Sequence, residues 1–447
     1  MTDSRILHGF HGRNAPVAMH QKGSYIYDDT GKKYLDGSSG PCCVTLDYGN
    51  EEVLKVLEEQ PASLSFTYRS QFRNQPAEML AKMLADLAPD PLNWSVFVNS
   101  GSEACDMAIK LARKYWMLKG HPGKYMVISR WVSYHGSTMG ALGLTGTTAR
   151  RKHMTPALNP SPQVNPPYCY RCPYEKTYPA CELLCARDLG NVIEKLGAEY
   201  VSAFVVEPLT GASGGVITPP PGYYEIVRKI CDELDVLLVT DEVLTAPGRT
   251  GRFFAMGHWD AVPDMVAFGK GVTSGYSPLS GVLCSDEINE VLKGEPALGL
   301  TGHTFGGNPL SSAVACKVID IILRDDLVAR AEEKGAKLRK LLEDMAKDSP
   351  LIGDVRGKGL LNGIEFVRDK DSRAPYEKSV KVTERVVKAC FDNGLMIYPA
   401  SGGINGVKGD AIYVSPHLTV MDAEIEELVQ LLQKSIHQVY QEIQDLE

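Results

Sequence analysis

The chain reads as an α/β protein, with a large domain built on a mostly parallel central sheet and a smaller α+β domain. Three observations predict this. Through the middle of the chain, short apolar runs alternate with helical or loop segments, the pattern of parallel strands wrapped in helices. After Leu310 the texture changes to long, charged amphipathic helices. The 447 residues, 44% hydrophobic and 23% charged, supply core for two or three domains and exclude wholesale disorder.

In chain order, residues 23–36 alternate around Asp29-Thr30-Gly31 and predict a β-hairpin. A helix is expected over 76–87, a strand over 95–98 and a helix over 102–118. Apolar strands follow at 125–128, 201–206, 236–240 and 265–268, with a helix over 221–234 between the middle pair. The long Pro-rich stretch 145–198 is expected to leave the sheet and stay outside its core. Beyond it come helices over 311–322 and 327–345, strand-like pieces at 359–367 and 395–398, and a final helix over 422–444.

The charge balance, 47 basic against 55 acidic side chains for a net −8, and a pI near 5.8 argue against nucleic-acid or anionic-membrane partners. The charge says nothing about substrate. Met1–His8 lacks the basic-then-apolar pattern of a secretion signal, and runs such as 236–239 are far too short to span a bilayer. Eleven dilute cysteines fit a reducing compartment. A soluble cytoplasmic protein is expected.

The unusual motifs follow the predicted strands, at the carboxyl edge where open α/β sheets bind ligands. Asn99-Ser100-Gly101-Ser102-Glu103 runs straight into a helix N-terminus, whose free N–H groups and dipole suit a phosphate. Plain N-capping by Ser102 is the simpler reading of this segment taken alone. Tyr134-His135-Gly136 sets an aromatic beside a glycine, where a flat ligand could stack or the ring could merely cover a loop. Glu207 and Asp241 end strands, as caps or as site carboxylates. Asp241 leaves an apolar run and so needs a cationic or donor partner. Lys270 stands between Gly269 and Gly271, a desolvated nucleophilic amine or a surface lysine in a tight turn.

Taken together, a phosphate cradle, a stacking aromatic, a buried aspartate and a reactive lysine are the parts that hold pyridoxal 5′-phosphate (PLP). In these motifs the chain resembles the class III, or ω-amino acid, aminotransferases of PLP fold type I. The resemblance spans nearly the whole chain and includes Thr304-Phe305-Gly306-Gly307-Asn308-Pro309 and Val414-Ser415-Pro416. It implies a large PLP-binding domain over 65–325 and a small domain made from 1–64 and 326–447.

The resemblance further implies that Lys270 carries PLP covalently and shuttles the substrate proton, while Asp241 pairs with the pyridine nitrogen. Tyr134 and Val243 would flank the ring, and Ser100, Gly101, Ser102, His135 and Gly136 would complete the cofactor-binding set. Glu207 resembles the family's active-site glutamate. Thr304 looks like the threonine that reaches the neighbouring subunit's cofactor phosphate, which implies a homodimer with shared sites. The implied reaction moves an amino group from an ω-amino acid or primary amine to a 2-oxo acid such as pyruvate. The alternatives are another PLP reaction on the same scaffold (racemase, decarboxylase, lyase or aminomutase), PLP binding without turnover, or a metal-stapled interaction module.

Three departures touch the substrate side. The stretch Leu209-Thr210-Gly211-Ala212-Ser213-Gly214-Gly215 after Glu207-Pro208 lacks the Gln that many relatives carry, Ala246-Pro247 replaces a common Gly-Phe, and Pro41-Cys42-Cys43-Val44 occupies a stretch that often lines the pocket. The last arginine is Arg385, so the C-terminal arginine that grips an acceptor carboxylate in many relatives is missing. Lys408 or Arg69 is expected to take that role.

Two further motifs need weighing. Cys169, Cys172, Cys181 and Cys185 have spacing that suits structural zinc, although small cysteines packing a loop, with an occasional disulfide, explain it too. The family's chemistry calls for no metal there. The glycine string 357–363 has the wrong spacing for a dinucleotide loop and predicts a tight turn before a strand.

Overall fold

The computed structural model describes residues 15–294 and 302–445, so Met1–His8 lies outside it. Fifteen strands are described: β1 (Ala18–Lys22), β2 (Tyr25–Asp28), β3 (Lys33–Asp36), β4 (Leu92–Val98), β5 (Met126–Arg130), β6 (Gln163–Val164), β7 (Val201–Val206), β8 (Leu237–Asp241), β9 (Met265–Phe268), β10 (Ser280–Ser285), β11 (Ile352–Lys358), β12 (Leu361–Phe366), β13 (Leu395–Met396), β14 (Tyr398–Ile404) and β15 (Lys408–Val414). The central sheet has the order β4-β10-β9-β8-β7-β5-β6. Only β10 runs against the others. The carboxyl ends of β4, β5, β7, β8 and β9 therefore share one edge, and the motif-bearing loops leave from that edge.

Side-chain alternation explains how this sheet is buried on both faces. Ala203 and Val205 of β7, with Leu237 and Val239 of β8, pack under Leu111 and Trp116 of the Gly101–Leu118 helix. Phe204, Val206 and Leu238 point the other way, onto Leu189, Tyr224 and Val227. Truncating Phe204, fully buried there, to alanine should cost about 3–5 kcal/mol.

The remaining strands form β1-β2-β3-β13 and β11-β12-β15-β14. One core group joins Leu35, Leu46 and Val53 to Leu338, Ile364, Leu395, Ile412 and Leu432, so the two ends of the chain pack together. Gly359 makes the β11–β12 turn at φ +53, next to the backbone of Arg249 and Thr250, where a side chain would be both strained and crowded. That is the tight turn expected from the glycine string.

One expectation needs correcting, and one strand went unread. The 145–198 stretch does not stay outside the sheet. β6 pairs in parallel with β5, and the Leu184–Leu196 helix buries Ala186, Leu189 and Ile193 in the core. β10 also escaped the sequence reading, because Ser-Gly-Val-Leu-Cys-Ser holds only a two-residue aliphatic run between small and polar residues. No helix among the described residues is long and apolar enough to cross a membrane.

Candidate active site

The β4 loop enters the Gly101–Leu118 helix through a capping box. Ser100 Oγ accepts the Glu103 N–H, and Glu103 Oε2 accepts the Ser100 N–H at 3.0 Å. The N-cap is thus Ser100, not Ser102. Ser102 Oγ accepts the Ser137 N–H at 3.0 Å, tying this helix start to the β5 loop. Glycine is required on both sides of the junction. A Cβ on Gly136, at φ +142, would meet Ser102 Oγ at 2.5 Å, and one on Gly101 would meet Val243 Cγ1 at 2.5 Å. Backbone N–H groups, a hydroxyl and the positive helix end gather here.

Asp241 ends β8 with 6% exposure and is held by three donors. His135 Nδ1 lies 2.9 Å from Oδ2, the Cys105 thiol donates to the same oxygen at 3.4 Å, and the Val243 N–H donates to Oδ1 at 3.1 Å. The opposite imidazole nitrogen, Nε2 of His135, is buried and has no hydrogen-bond partner among the described residues. These three side chains form the one group of potential metal ligands within 4.8 Å of one another among the described residues. Hydrogen bonding within the trio already accounts for its closeness.

Glu207 follows β7 and is also buried. Its Oε2 accepts the Tyr134 N–H and its Oε1 the Gly211 N–H, both at 3.2 Å. Burial pushes its carboxyl above the usual carboxylate range, against the pull of His135 and with Asp241 adding to it. Arg130 supports the turn from below, donating to the Glu207 carbonyl at 2.6 Å while Nε and Nη1 stay unpaired. The Tyr134 ring is half-buried, which raises its hydroxyl pKa.

Lys270 leaves β9 three residues beyond Ala267, the register partner of Asp241. Its φ is +44, a conformation that L-residues adopt at a cost and that clusters at functional sites. Gly269 is packed on Ser280 Oγ, and Gly271 has Thr45 Oγ1 bonded to its carbonyl at 2.7 Å, so the turn is clamped on both sides. Cys43, from the stretch that departs from the family pattern, lies within the field of Lys270. Burial raises the Cys43 thiol while Lys270 and then Arg249 pull it down. Arg249 donates to Ser415 Oγ at 2.9 Å and Val44 O at 3.0 Å, joining two sequence motifs 166 residues apart.

The outlying candidates fall elsewhere. Thr304 sits exposed in a turn beside the exposed Phe305. Lys408 begins β15 at 53% side-chain exposure, 4.0 Å from Glu377. Arg69 lies in a turn with a buried, unpartnered Nη2. Sequence reading missed Arg150, whose guanidinium stands 4.5 Å from the centre of the Tyr134 ring. No ion pair is recorded for it among the described residues. It occupies a four-residue helix, Thr148–Arg151, and no motif marks it.

These residues fit PLP. Both glycines keep open a cradle that a Cβ would fill, at a helix end suited to a phosphate. Asp241, buried and fixed by donors, still has lone-pair capacity for a ring N–H. Lys270 follows the adjacent strand, and its amine makes no hydrogen bond or ion pair among the described residues.

A large domain of this sheet order with such a strand edge defines a PLP-dependent transferase of fold type I. The aminotransferase class-III family signature matches residues 11–436. The uncharacterised aminotransferase YodT of Bacillus subtilis is 43% identical over 421 residues, covering 94% of this chain and 95% of that protein. The putrescine–pyruvate aminotransferase of Pseudomonas aeruginosa is 35% identical over 430 residues, covering 95% and 91%. Among solved structures, a thermostable (S)-enantioselective ω-transaminase from Thermomicrobium roseum superposes with a TM-score of 0.89 at 34% identity, covering 95% and 93%. A PLP-bound amine transaminase from an uncultivated Pseudomonas species gives a TM-score of 0.91 at 28% identity, covering 98% and 99%. The chain belongs to the class III aminotransferase family and is an aminotransferase. That family is PLP-dependent in general.

Proposed function

We propose that the chain transfers an amino group from a primary amine or ω-amino acid to a 2-oxo acid such as pyruvate, with PLP held on Lys270. The carrying observation is Lys270 in its clamped left-handed turn, one strand from an Asp241 whose oxygens are fixed by His135 and Val243. The relatives named above are aminotransferases, which favours this over the racemase, decarboxylase, lyase and aminomutase fates.

PLP, when bound, supplies the sink for the electrons left as the substrate's C–H bond breaks. Asp241 holds a proton on the ring nitrogen, and His135 orients Asp241. Lys270 Nζ holds the cofactor and then moves a proton to and from the substrate carbon. Gly101, Ser102 and Gly136 form the phosphate cradle with Ser100 capping the helix behind them, and Tyr134 and Val243 bound the ring. Glu207 positions Tyr134 through its backbone N–H.

For the acceptor carboxylate, Arg150 is a better candidate than Lys408 or Arg69. Its planar guanidinium already lies over Tyr134, whereas Lys408 faces Glu377 at the exposed start of β15. A small domain made from both chain ends is supported by the core group that joins them, a group that also takes in Val314, Val318, Ile321 and Ile322 from the 65–325 part. A homodimer in which Thr304 reaches the partner's site is supported by its exposure beside exposed Phe66 and Phe305, whose rings are 6.0 Å apart. A cytoplasmic location accords with the eleven cysteines, none of the described ones disulfide-bonded. The test is the half-reaction: added amine should convert the bound cofactor stoichiometrically to pyridoxamine phosphate, and pyruvate should reverse it. Product other than an oxo compound or aldehyde from the donor would refute the reading.

A further inference from the structure

The excursion between β5 and β7 carries a second constellation that transamination does not use. Cys169, Cys172, Cys181 and Cys185 all line one small cavity of about 20 Å³. That volume holds one water or one ion. A buried water needs two to four good polar partners, and thiols are weak ones. Four soft sulfur ligands around a single-ion volume instead match a tetrahedral thiolate site.

We propose that Cys169, Cys172, Cys181 and Cys185 bind one structural zinc ion. The ion displaces the four thiol protons to solvent and leaves a centre of net charge −2, with Lys176 on the cavity wall as a counter-charge. The four cysteines line the cavity, but among the described residues no three of their sulfurs fall within 4.8 Å of one another. Tetrahedral coordination at Zn–S of about 2.3 Å needs neighbouring sulfurs roughly 3.8 Å apart, so zinc binding would draw the four side chains inward.

The backbone also asks for a staple. Glu175, Glu182 and Leu183 all have positive φ without being glycine, and the stretch between β6 and residue 184 has no strand and only short turns. Yet it makes a polar bridge to the strands β11 and β12: Tyr168 and Arg171 both bond Glu365, and Arg356 lies 4.8 Å over the Tyr168 ring. Arg373 donates to the Tyr170 carbonyl at 2.5 Å. Zinc would hold this bridge in register.

The test is metal analysis of the full-length protein purified without chelator and, separately, reconstituted with zinc chloride under reducing conditions. About one zinc per chain is expected, falling below roughly a tenth in a Cys172→Ser/Cys185→Ser variant. Should that variant not fold, differential alkylation of the wild type decides. These four cysteines should resist iodoacetamide until chelator is added and then label together. Less than about a tenth of an equivalent after reconstitution, a mass deficit of four hydrogens marking two disulfides, or iron in place of zinc would each overturn the proposal.

Discussion

His135 Nδ1 stands 2.9 Å from Asp241 Oδ2, inside a site where neither side chain meets appreciable solvent. The contact, with the Cys105 thiol, occupies Oδ2, so a ring nitrogen would meet Oδ1, which accepts the Val243 N–H alone. Asp241→Asn should therefore lower kcat by about 100-fold or more while moving the amine KM less than about threefold, because the charge matters most when electrons enter the ring. His135→Phe should cost less, about 10- to 100-fold, as an orienting group. Steady-state kinetics on both variants check this, and an Asp241→Asn loss confined to KM would contradict it.

Arg150 and Lys408 make opposite forecasts. Arg150→Ala should raise the pyruvate KM by about tenfold or more, the loss of a charge-assisted bidentate contact, and leave an uncharged aldehyde acceptor unaffected. Lys408→Ala should change neither. A shifted pyruvate KM in Lys408→Ala alone would reverse the assignment.

Gly101 is held to glycine by Val243, whose Cγ1 would lie 2.5 Å from an added Cβ. Gly101→Ala must push Val243 or the helix start aside, so cofactor affinity should fall by about tenfold or more with little change in circular dichroism. Titrating apo-enzyme with PLP by absorbance measures it. Unchanged affinity would remove this junction from the phosphate cradle.

His417 gives a pH signature. It is 2% exposed, with Nε2 2.7 Å from Ser24 Oγ and Nδ1 2.8 Å from Thr419 Oγ1. Glu424 shares Ser24 Oγ, and Arg249 also faces the ring electrostatically. Burial first, and Arg249 second, lower its pKa from 6.5 to about 3. The unfolded chain thus binds a proton below pH 6.5 that the folded chain refuses. The contribution is complete above 6.5 and is lost as pH falls toward 3, amounting to about 2 kcal/mol at pH 5. Urea unfolding at pH 7 and 5 should show a shallower loss in His417→Gln than in the wild type. Equal losses would contradict the assignment.

What was legible in the sequence follows physical strength. Met265–Phe268 and Val201–Val206 were readable because short, mostly apolar runs (Ser202 the one polar residue) have few other uses, and the Asp422–Gln444 helix because its apolar stripe repeats over six turns. β10 was hidden by its small and polar ends, and the β15 strand by the glycine- and charge-bearing start Lys408-Gly409-Asp410. At the site, Asp241 and Lys270 stood out by position after apolar strands. Arg150 did not, since a cation on a short exposed helix becomes meaningful only when the fold lays it over Tyr134. The N-cap fell on Ser100 because Glu103 closes a capping box there, a spacing present in the sequence but assigned to Ser102.

The central claim is that Lys270 carries the cofactor beside Asp241. Its most direct measurement is borohydride reduction of the holoenzyme followed by peptide mass mapping. The account predicts loss of the visible cofactor absorption and a pyridoxyl mass on the peptide containing Lys270 alone. A label on another lysine, or no borohydride-fixed cofactor at all, would contradict it.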